Sequence, residues 1–370
     1  MKRAAVLLLG PDRARIGGIE THLNLLLGSP LAREFDLRHF EVGTVGGESL
    51  LAMVGRWATS PFRLAAAIVR SGAQIVHVNT SLRAKPYWRD LAYVAAAKLC
   101  GARVVFQMHG GTLREFGTAT LMRRVLRATL QWADVIVVIV RSELEAMREL
   151  LPRQDVALLP NAIDCQLYRG ARRASPDPRA PLTLLYMGRL MRTKGLLETV
   201  QGLALALRQG VAARLVVAGD GPDQQALRDA VRELRLEREV VFAGPTHGER
   251  KLKLFAEADL FLLPTYHREG LPYALLEAMA AGVVPIVTRV AAIPDVVTEG
   301  VHGLFVPPRD PEAIAQALAA LAADRARLAR MSAACRERVN ACYSIERLVD
   351  DFAALYRKLE RRSWAPSQAG

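Results

Sequence analysis

The chain has four cysteines and few aromatic residues, 6% of its 370 positions, and both shortages exclude something. No Cys-x-x-Cys pair and no cysteine–histidine cluster with zinc spacing occurs, so a zinc module is excluded. Scattered thiols in a long chain are typical of a reducing compartment and predict a cytoplasmic protein. Few aromatics beside abundant Ala and Leu favour helices packed on sheets over a β-sandwich.

Long hydrophobic runs are also missing. No stretch approaches 18 apolar residues, so the sequence predicts no membrane-spanning helix. The first apolar run, 4–9, is short, and Asp12, Arg13 and Arg15 follow it directly. We therefore interpret it as a first buried strand and not as a signal peptide.

Acidic residues are outnumbered, with 37 Asp and Glu against 50 Lys and Arg, which gives a net charge of +13. Such an excess suits anionic lipid, anionic substrates or nucleic acid. No RNA- or DNA-binding motif occurs and the basic residues are dispersed, so we expect no nucleic-acid partner. The sequence also lacks the Gly-x-Gly-x-x-Gly pattern of dinucleotide-binding domains and the Gly-Lys-Ser/Thr of a P-loop. Neither of these phosphate-binding motifs is therefore predicted.

Short apolar runs alternate with helical patterns along the whole chain, as in parallel sheets covered by helices on both faces. Two such series predict an α/β protein with two Rossmann-like, doubly wound domains that face each other across a cleft. The predicted strands are 5–9, 36–42, 74–78, 103–107, 134–139 and 156–159, then 182–187, 214–218, 239–243, 259–263, 284–287 and 304–306.

A stretch rich in Pro and Arg separates the two series. We predict an N-terminal acceptor-binding domain at 1–168, a linker at 169–181 and a C-terminal donor-binding domain at 182–342. Residues 343–370 are predicted to form a helix that packs back across the cleft and ends in a frayed tail. Ligands of such sheets bind at the carboxyl ends of the strands.

The segment from His267 to Gly282 follows one predicted strand and carries the strongest signal. Pro272 suits the first helical turn and Gly282 the end of a short helix. Free N–H groups near Leu271 form an anion site at the helix start. Glu269 and Glu277 flank that start, and a carboxylate accepts hydrogen bonds from vicinal hydroxyls of a sugar or ribose.

This segment resembles the Glu-x7-Glu motif of retaining glycosyltransferases of family 4, which have the GT-B fold. The resemblance covers nearly the whole chain. Its other motifs are the glycine turn Gly17-Gly18, the loop Gly188-Arg-Leu-Met-Arg-Thr-Lys-Gly195, the loop Gly219-Asp-Gly-Pro222, and Glu299-Gly300 with Gly303-Leu304.

The resemblance implies a hexosyltransferase with a nucleotide-diphosphate-sugar donor and no cofactor. Glu269 is then the contact to the donor sugar, with Gly270 allowing close approach, and Glu277 the contact to the ribose. Arg189 and Lys194 stabilise charge on the departing diphosphate. The resemblance also places Gly17 and Gly18 at the donor phosphates. It implies that His109, in the loop after strand 103–107, contacts the donor sugar.

Metal-dependent transferases commonly use Asp-x-Asp to bind a cation under the diphosphate, and this chain has no such triplet. We therefore predict a metal-independent enzyme in which Arg189, Lys194 and the helix start replace the cation. Retention of anomeric configuration rests on the resemblance alone.

The acceptor is predicted to meet Asn79, Thr80 and Ser81, which close the strand 74–78. Three groups of basic residues, two of them mixed with aromatics, favour a lipid-diphosphate acceptor or an anionic membrane surface. They also fit ordinary helices with exposed arginines. The groups lie at 56–70, 83–89 and 123–127.

The favoured interpretation is a transferase that acts on a lipid-linked or surface-glycan intermediate, and three alternatives to it stay open. The same chemistry suits a small soluble acceptor, and the fold also carries non-catalytic sugar-nucleotide-binding proteins and sugar epimerases. The joint presence of Arg189, Lys194, Glu269 and Glu277 favours the transferase.

Overall fold

The computed structural model describes residues 3–15, 17–43, 49–82, 84–111, 113, 119–170, 181–267 and 270–364. The chain forms two compact units. The first contains residues 1–162 and 345–370, and the second contains residues 163–344. Most of the predicted linker, 171–180, lies outside the described residues.

The first unit is built on a six-stranded parallel sheet with the order β2-β1-β3-β4-β5-β6. Its strands are β1 (Ala5–Gly10), β2 (Asp36–Glu41), β3 (Ile75–Thr80), β4 (Arg103–Met108), β5 (Val135–Val138) and β6 (Val156–Leu158). Its described helices are α1 (Gly18–Gly28), α2 (Leu31–Glu34), α3 (Leu50–Ser71), α4 (Ala84–Leu99), α5 (Thr120–Leu130), α6 (Arg141–Leu150) and α14 (Ile345–Trp364).

The second unit repeats the plan, with the strand order β12-β11-β10-β7-β8-β9. Its strands are β7 (Leu182–Met187), β8 (Ala213–Ala218), β9 (Val240–Gly244), β10 (Leu260–Leu263), β11 (Val284–Val287) and β12 (Leu304–Phe305). Its described α-helices are α7 (Leu196–Arg208), α8 (Gln224–Glu233), α9 (Gly248–Glu257), α10 (Tyr273–Ala281), α11 (Ile293–Val296), α12 (Pro311–Ala323) and α13 (Arg325–Cys342). Two 3₁₀ helices span Cys165–Tyr168 and Arg192–Lys194.

Both faces of the first sheet are buried, because alternate residues of one strand enter two different apolar clusters. Leu7 and Leu9 pack in a cluster with Leu64 of α3, whereas Leu8 packs in another with Leu23 of α1. Burial on both faces explains why the strands appear in the sequence as continuous apolar runs. The prediction of two doubly wound parallel sheets is confirmed.

The boundary between the units differs from the predicted one. Residues 163–168, which the sequence assigned to the first domain, belong to the second unit. The 3₁₀ helix Cys165–Tyr168 packs against α9 and α10, and Cys165 and Tyr168 are buried there. An apolar anchor of this kind is hard to distinguish from a linker in the sequence.

The terminal helix α14 belongs to the first unit. Phe352 and Tyr356 are fully buried in the cluster that contains Leu8 and Leu23. The Tyr356 hydroxyl lies 2.7 Å from Nδ1 of His77 on β3. The chain therefore completes one core of its first unit with its last helix. No helix among the described residues has both the length and the apolar character needed to cross a bilayer.

In each unit the strand order reverses direction next to the first strand, between β1 and β3 and between β7 and β10. Loops diverge at such a point and leave a crevice at the carboxyl ends of the strands, where doubly wound sheets bind ligands. The loops after β1, β3, β7 and β10 are therefore where functional side chains are expected.

Candidate functional site

In the second unit, the loop after β7 is locked to its neighbours by backbone contacts. Thr193 accepts hydrogen bonds at its carbonyl from the N–H groups of Tyr266 and His267, both at 2.9 Å. Gly195 has a positive φ of 75°, and a Cβ there would collide with the carbonyl of Pro264. Only glycine fits this position, so the Gly-rich sequence sets how the β7 loop lies on the β10 loop.

The two predicted cations lie on this loop. Arg189 follows β7 and is exposed, and its carbonyl accepts a 3.1 Å hydrogen bond from the Tyr186 hydroxyl. Lys194 ends the 3₁₀ helix Arg192–Lys194, and its Nζ lies 4.0 Å from the position a Cβ on Gly188 would occupy. Lys194 thus folds back over the start of the loop at the carboxyl end of β7.

Glu277 lies on α10 and is 8% exposed. Its Oε1 is 2.6 Å from Nζ of Lys251 on α9, and the Tyr168 hydroxyl is hydrogen-bonded to the same carboxylate. Tyr273, one turn earlier on α10, has a buried hydroxyl without a partner among the described residues. A nearly buried carboxylate is thus held by a cation and a phenol from two neighbouring elements.

Burial and the negative charge of Glu277 raise the pKa of Tyr168 and of Tyr273 well above the ordinary phenol value. Both phenols therefore remain protonated at neutral pH, and each keeps an O–H group that donates. The Tyr168 hydroxyl donates to the carboxylate of Glu277, whereas the buried Tyr273 hydroxyl has no acceptor among the described residues.

The segment before α10 is described in part. Glu269, predicted to contact the donor sugar, lies outside the described residues. Leu271 is buried, and Pro272 is the N-cap residue, so the helix begins at Tyr273, one position after the proline. Gly282 ends the helix with a positive φ of 78°, as its place in the sequence predicted.

In the first unit, side chains from three neighbouring elements meet at the carboxyl end of the sheet. His109 directly follows β4, and His22 lies on α1, which begins at Gly18 with Gly17 as its N-cap. The two imidazole centroids are 4.7 Å apart at an angle of 61°. Asn79 near the end of β3 places its Oδ1 2.8 Å from Nε2 of His109.

Hydrogen bonds fix the tautomer of His109. The amide of Asn79 donates through Nδ2 to the carbonyl of Leu9 at 3.1 Å, which leaves Oδ1 as the acceptor facing His109. Nε2 of His109 must therefore carry the hydrogen. Its Nδ1 keeps a lone pair, and this atom is buried without a partner among the described residues. His109 thus keeps one unused acceptor atom.

Burial lowers the pKa of all three histidines at this edge. The pKa of His22 falls to about 4 and that of His77 to about 3, while that of His109 lies well below its usual 6.5. The second effect on His77 and His109 is repulsion from neighbouring imidazoles. The cluster is therefore uncharged at neutral pH.

The residues predicted to meet an acceptor lie at the same edge. Asn79 and Thr80 are each 2% exposed. The amide of Asn79 is hydrogen-bonded to His109 and to the carbonyl of Leu9, and the Thr80 hydroxyl donates to Asp90. Ser81 is half-buried. The acceptor role of these three residues stays a prediction.

Sequence reasoning missed three residues of these clusters: Lys251, Tyr168 and His22. Lys251 is one of several charged residues on an amphipathic helix, and Tyr168 lies at the edge of the linker. His22 has no ligand spacing to any other histidine. Only the packing of α1, α9 and the 3₁₀ helix brings them to the sites.

Comparison with known proteins decides the family. The profile described as "Glycosyl transferases group 1" matches residues 170–338, and that described as "Glycosyl transferase 4-like domain" matches residues 17–162. Together they cover both units. The chain belongs to the group 1 glycosyltransferases. The predicted family is thus confirmed, and with it the class of enzyme.

Curated relatives of this glycosyltransferase are distant. An Escherichia coli K12 protein named for colanic acid biosynthesis is 31% identical over 56% of the chain and 52% of its own length. The Bacillus anthracis N-acetyl-alpha-D-glucosaminyl L-malate synthase is 27% identical, over 80% of the chain and 77% of its length. A Xanthomonas oryzae GDP-mannose:cellobiosyl-diphosphopolyprenol alpha-mannosyltransferase is 29% identical, over 73% and 70%. The chain thus spans only about half the length of the Escherichia coli relative.

Solved structures share the fold of this glycosyltransferase. The sucrose-phosphate synthase of Thermosynechococcus elongatus has a TM-score of 0.77 at 20% identity, over 97% of this chain and 100% of that one. The HepE protein of Anabaena, solved with UDP-glucose, has a TM-score of 0.75 at 15% identity, over 96% and 99%. The GT-B fold is therefore confirmed.

Proposed function

We propose that the chain transfers a sugar from a nucleoside-diphosphate sugar to a hydroxyl of a glycan or lipid-linked acceptor, with retention and without a metal. One observation carries this proposal. The second unit holds a buried carboxylate, Glu277, after β10 and two cations, Arg189 and Lys194, after β7. The hydrogen bonds to Thr193 join these two loops at one switch point.

The cations act on the leaving group. When the bond between the anomeric carbon and the phosphate oxygen breaks, its electron pair remains on the diphosphate. Fixed positive charges where that charge develops lower the barrier and need no reorganisation during the step. Arg189 offers a planar, bidentate donor and Lys194 a compact point charge, so the pair replaces a metal ion.

The carboxylate acts on the nucleoside. Glu277 has two oxygens, and the contact to Lys251 uses Oε1. Vicinal ribose hydroxyls donate two hydrogen bonds, which a carboxylate accepts. Lys251 and Tyr168 restrict the rotamer of Glu277, so the side chain is preorganised for the ribose.

The donor sugar is held by hydrogen bonds to its hydroxyl groups. In the proposal, His109 accepts a hydrogen bond from a donor-sugar hydroxyl at Nδ1, and Glu269 contacts the same sugar. The acceptor oxygen then bonds to the anomeric carbon on the face that the phosphate leaves, and its proton passes to that phosphate. This order of events retains the anomeric configuration.

Relatives support an acceptor class and a donor class. The Xanthomonas relative is named for a diphosphopolyprenol acceptor, and HepE was solved with UDP-glucose. Both names fit a donor with a diphosphate, and the Xanthomonas name also fits an acceptor that carries a lipid diphosphate. No disulfide joins the cysteines of the described residues, which fits the predicted cytoplasmic location.

A thermal-shift screen with UDP, GDP, ADP and their sugars tests the donor assignment. A ligand that binds the native state raises Tm, and we expect one nucleotide series to do so without added metal. Glu277→Gln is expected to remove most of that shift. EDTA that abolishes the transfer of sugar would contradict metal independence, and an inverted product by NMR would contradict retention.

A further inference from the structure

Helix α3 of the first unit has three distinct faces. One face is buried, with Leu64 and Ile68 in the core and the Ser60 hydroxyl 2.9 Å from that of Tyr93 on α4. This face fixes the helix to the sheet. With 22 residues α3 is about 33 Å long, at about 1.5 Å per residue.

A second face of α3 is apolar and exposed. Leu51, Val54, Phe62 and Val69 are 86%, 54%, 77% and 74% exposed. Their spacings bring them to one side of a helix with about 3.6 residues per turn. We call these four residues the apolar stripe. Large apolar side chains concentrated along one exposed helix face mark a surface that contacts an apolar partner.

The third face is basic. Arg63 and Arg70 are exposed, lie seven positions apart, and follow Phe62 and Val69 directly. They therefore form a line beside the apolar stripe. The whole helix contains no Asp or Glu. An apolar stripe with a cationic border and no acidic residue matches an anionic bilayer, in which acyl chains lie beneath a layer of phosphates.

We propose that α3 docks the first unit on an anionic membrane surface, with the apolar stripe among the acyl chains and Arg63 and Arg70 on lipid phosphates. Symmetric pairing of α3 with α3 of a second copy would bring the arginines of both helices together, with no acidic residue on either helix to compensate. The proposal does not depend on the donor chemistry, because α3 carries none of the proposed donor contacts.

Vesicle flotation of the full chain tests the proposal. We expect binding to phosphatidylcholine vesicles with about one-third phosphatidylglycerol, and much less to phosphatidylcholine alone. Phe62→Ser with Val69→Ser is expected to weaken binding roughly thirtyfold, because two apolar side chains lose their burial. Arg63→Gln and Arg70→Gln are each expected to weaken it about fivefold at low salt and less at high salt.

Leu99→Ser is the matched control, since Leu99 is 89% exposed at the end of α4 but is not on α3. It is expected to bind as the parent does, and equal Tm values show that the variants fold. Failure of the parent to float would overturn the proposal. So would equal binding by the stripe variant, or a dimer in solution that the stripe variant converts to a monomer.

Discussion

The two units share a strand plan but differ in the electrostatics of their switch points. The second unit places full charges there: Arg189 and Lys194 follow β7, and Glu277 follows β10 and pairs with Lys251 of α9. At its own sheet edge the first unit places Asn79 and three histidines that burial keeps neutral. The same backbone arrangement thus carries a charged edge in one unit and a neutral edge in the other.

This difference in charge fits the ligands that the two sites are proposed to bind. A diphosphate is best held by fixed cations, whose interaction grows as its charge increases. Sugar hydroxyls carry no net charge, so a neutral acceptor such as an imidazole can hold them without the cost of burying a further charge. Each prediction below tests whether one unit depends on charge and the other on hydrogen-bond geometry.

The largest effect is expected at the cations of the second unit. Arg189→Met or Lys194→Met should lower kcat for sugar transfer by roughly 100- to 1000-fold, because each removes a charge directed at the leaving group. Initial rates at saturating donor measure this. Arg192→Met, on the exposed side of the same loop, is the control and should change kcat less than about twofold. Equal losses at Arg192 would indicate an unspecific charge effect.

The ribose contact should come next. Glu277→Gln should weaken binding of the cognate nucleoside diphosphate by roughly thirtyfold, because charge-assisted hydrogen bonds to the ribose become neutral ones. Calorimetry with the ribose and 2′-deoxyribose forms of that nucleotide measures this: the parent should discriminate strongly between them and Glu277→Gln only weakly.

Lys251→Met separates positioning from contact. If Lys251 only orients Glu277, Lys251→Met should lose part of the discrimination and Lys251→Arg should restore it. If Lys251→Met kept the full preference for the ribose nucleotide while Glu277→Gln lost most of it, Lys251 would have no positioning role but Glu277 would still contact the ribose. Full discrimination in both variants would contradict the ribose contact itself.

The sequence predicted the two sheets because their strands are buried on both faces and are therefore continuously apolar. It predicted Arg189, Lys194 and Glu277 because they lie in short motifs next to strand ends. It did not predict Lys251 or Tyr168, since their role depends on how α9 and the 3₁₀ helix pack against α10. It also did not show that the amide of Asn79 is hydrogen-bonded to Leu9 and His109, and the predicted acceptor role of Asn79 stays a prediction.

A smaller effect is expected in the stability of the first unit. His22 has a folded pKa of about 4, below the 6.5 of an exposed histidine. The unfolded chain therefore binds a proton near pH 6.5 that the folded chain does not bind. The free energy of unfolding is at its full value above pH 6.5 and falls as the pH decreases from 6.5 to about 4. The loss from pH 7 to 5 should be about 2 kcal/mol for this histidine.

Urea unfolding at both pH values measures this loss. All four tryptophans, at 57, 88, 132 and 364, lie in the first unit, so their fluorescence follows that unit alone. His22→Leu should reduce the pH dependence, and His247→Gln, an exposed histidine of the second unit, should leave it unchanged. An unaltered slope in His22→Leu would mean that His22 is not buried as a neutral ring.

The smallest effect is expected at the hydrogen bond that fixes His109. Asn79→Ala removes the acceptor that holds the hydrogen on Nε2, so Nδ1 is an acceptor in only part of the molecules. We expect kcat/KM to fall about three- to tenfold, the value of one neutral hydrogen bond, with unchanged affinity for the nucleoside diphosphate. His109→Ala should show the same pattern with a larger loss. If either variant weakened nucleotide binding as much as transfer, His109 would serve the nucleotide and the division of labour between the two units would be wrong.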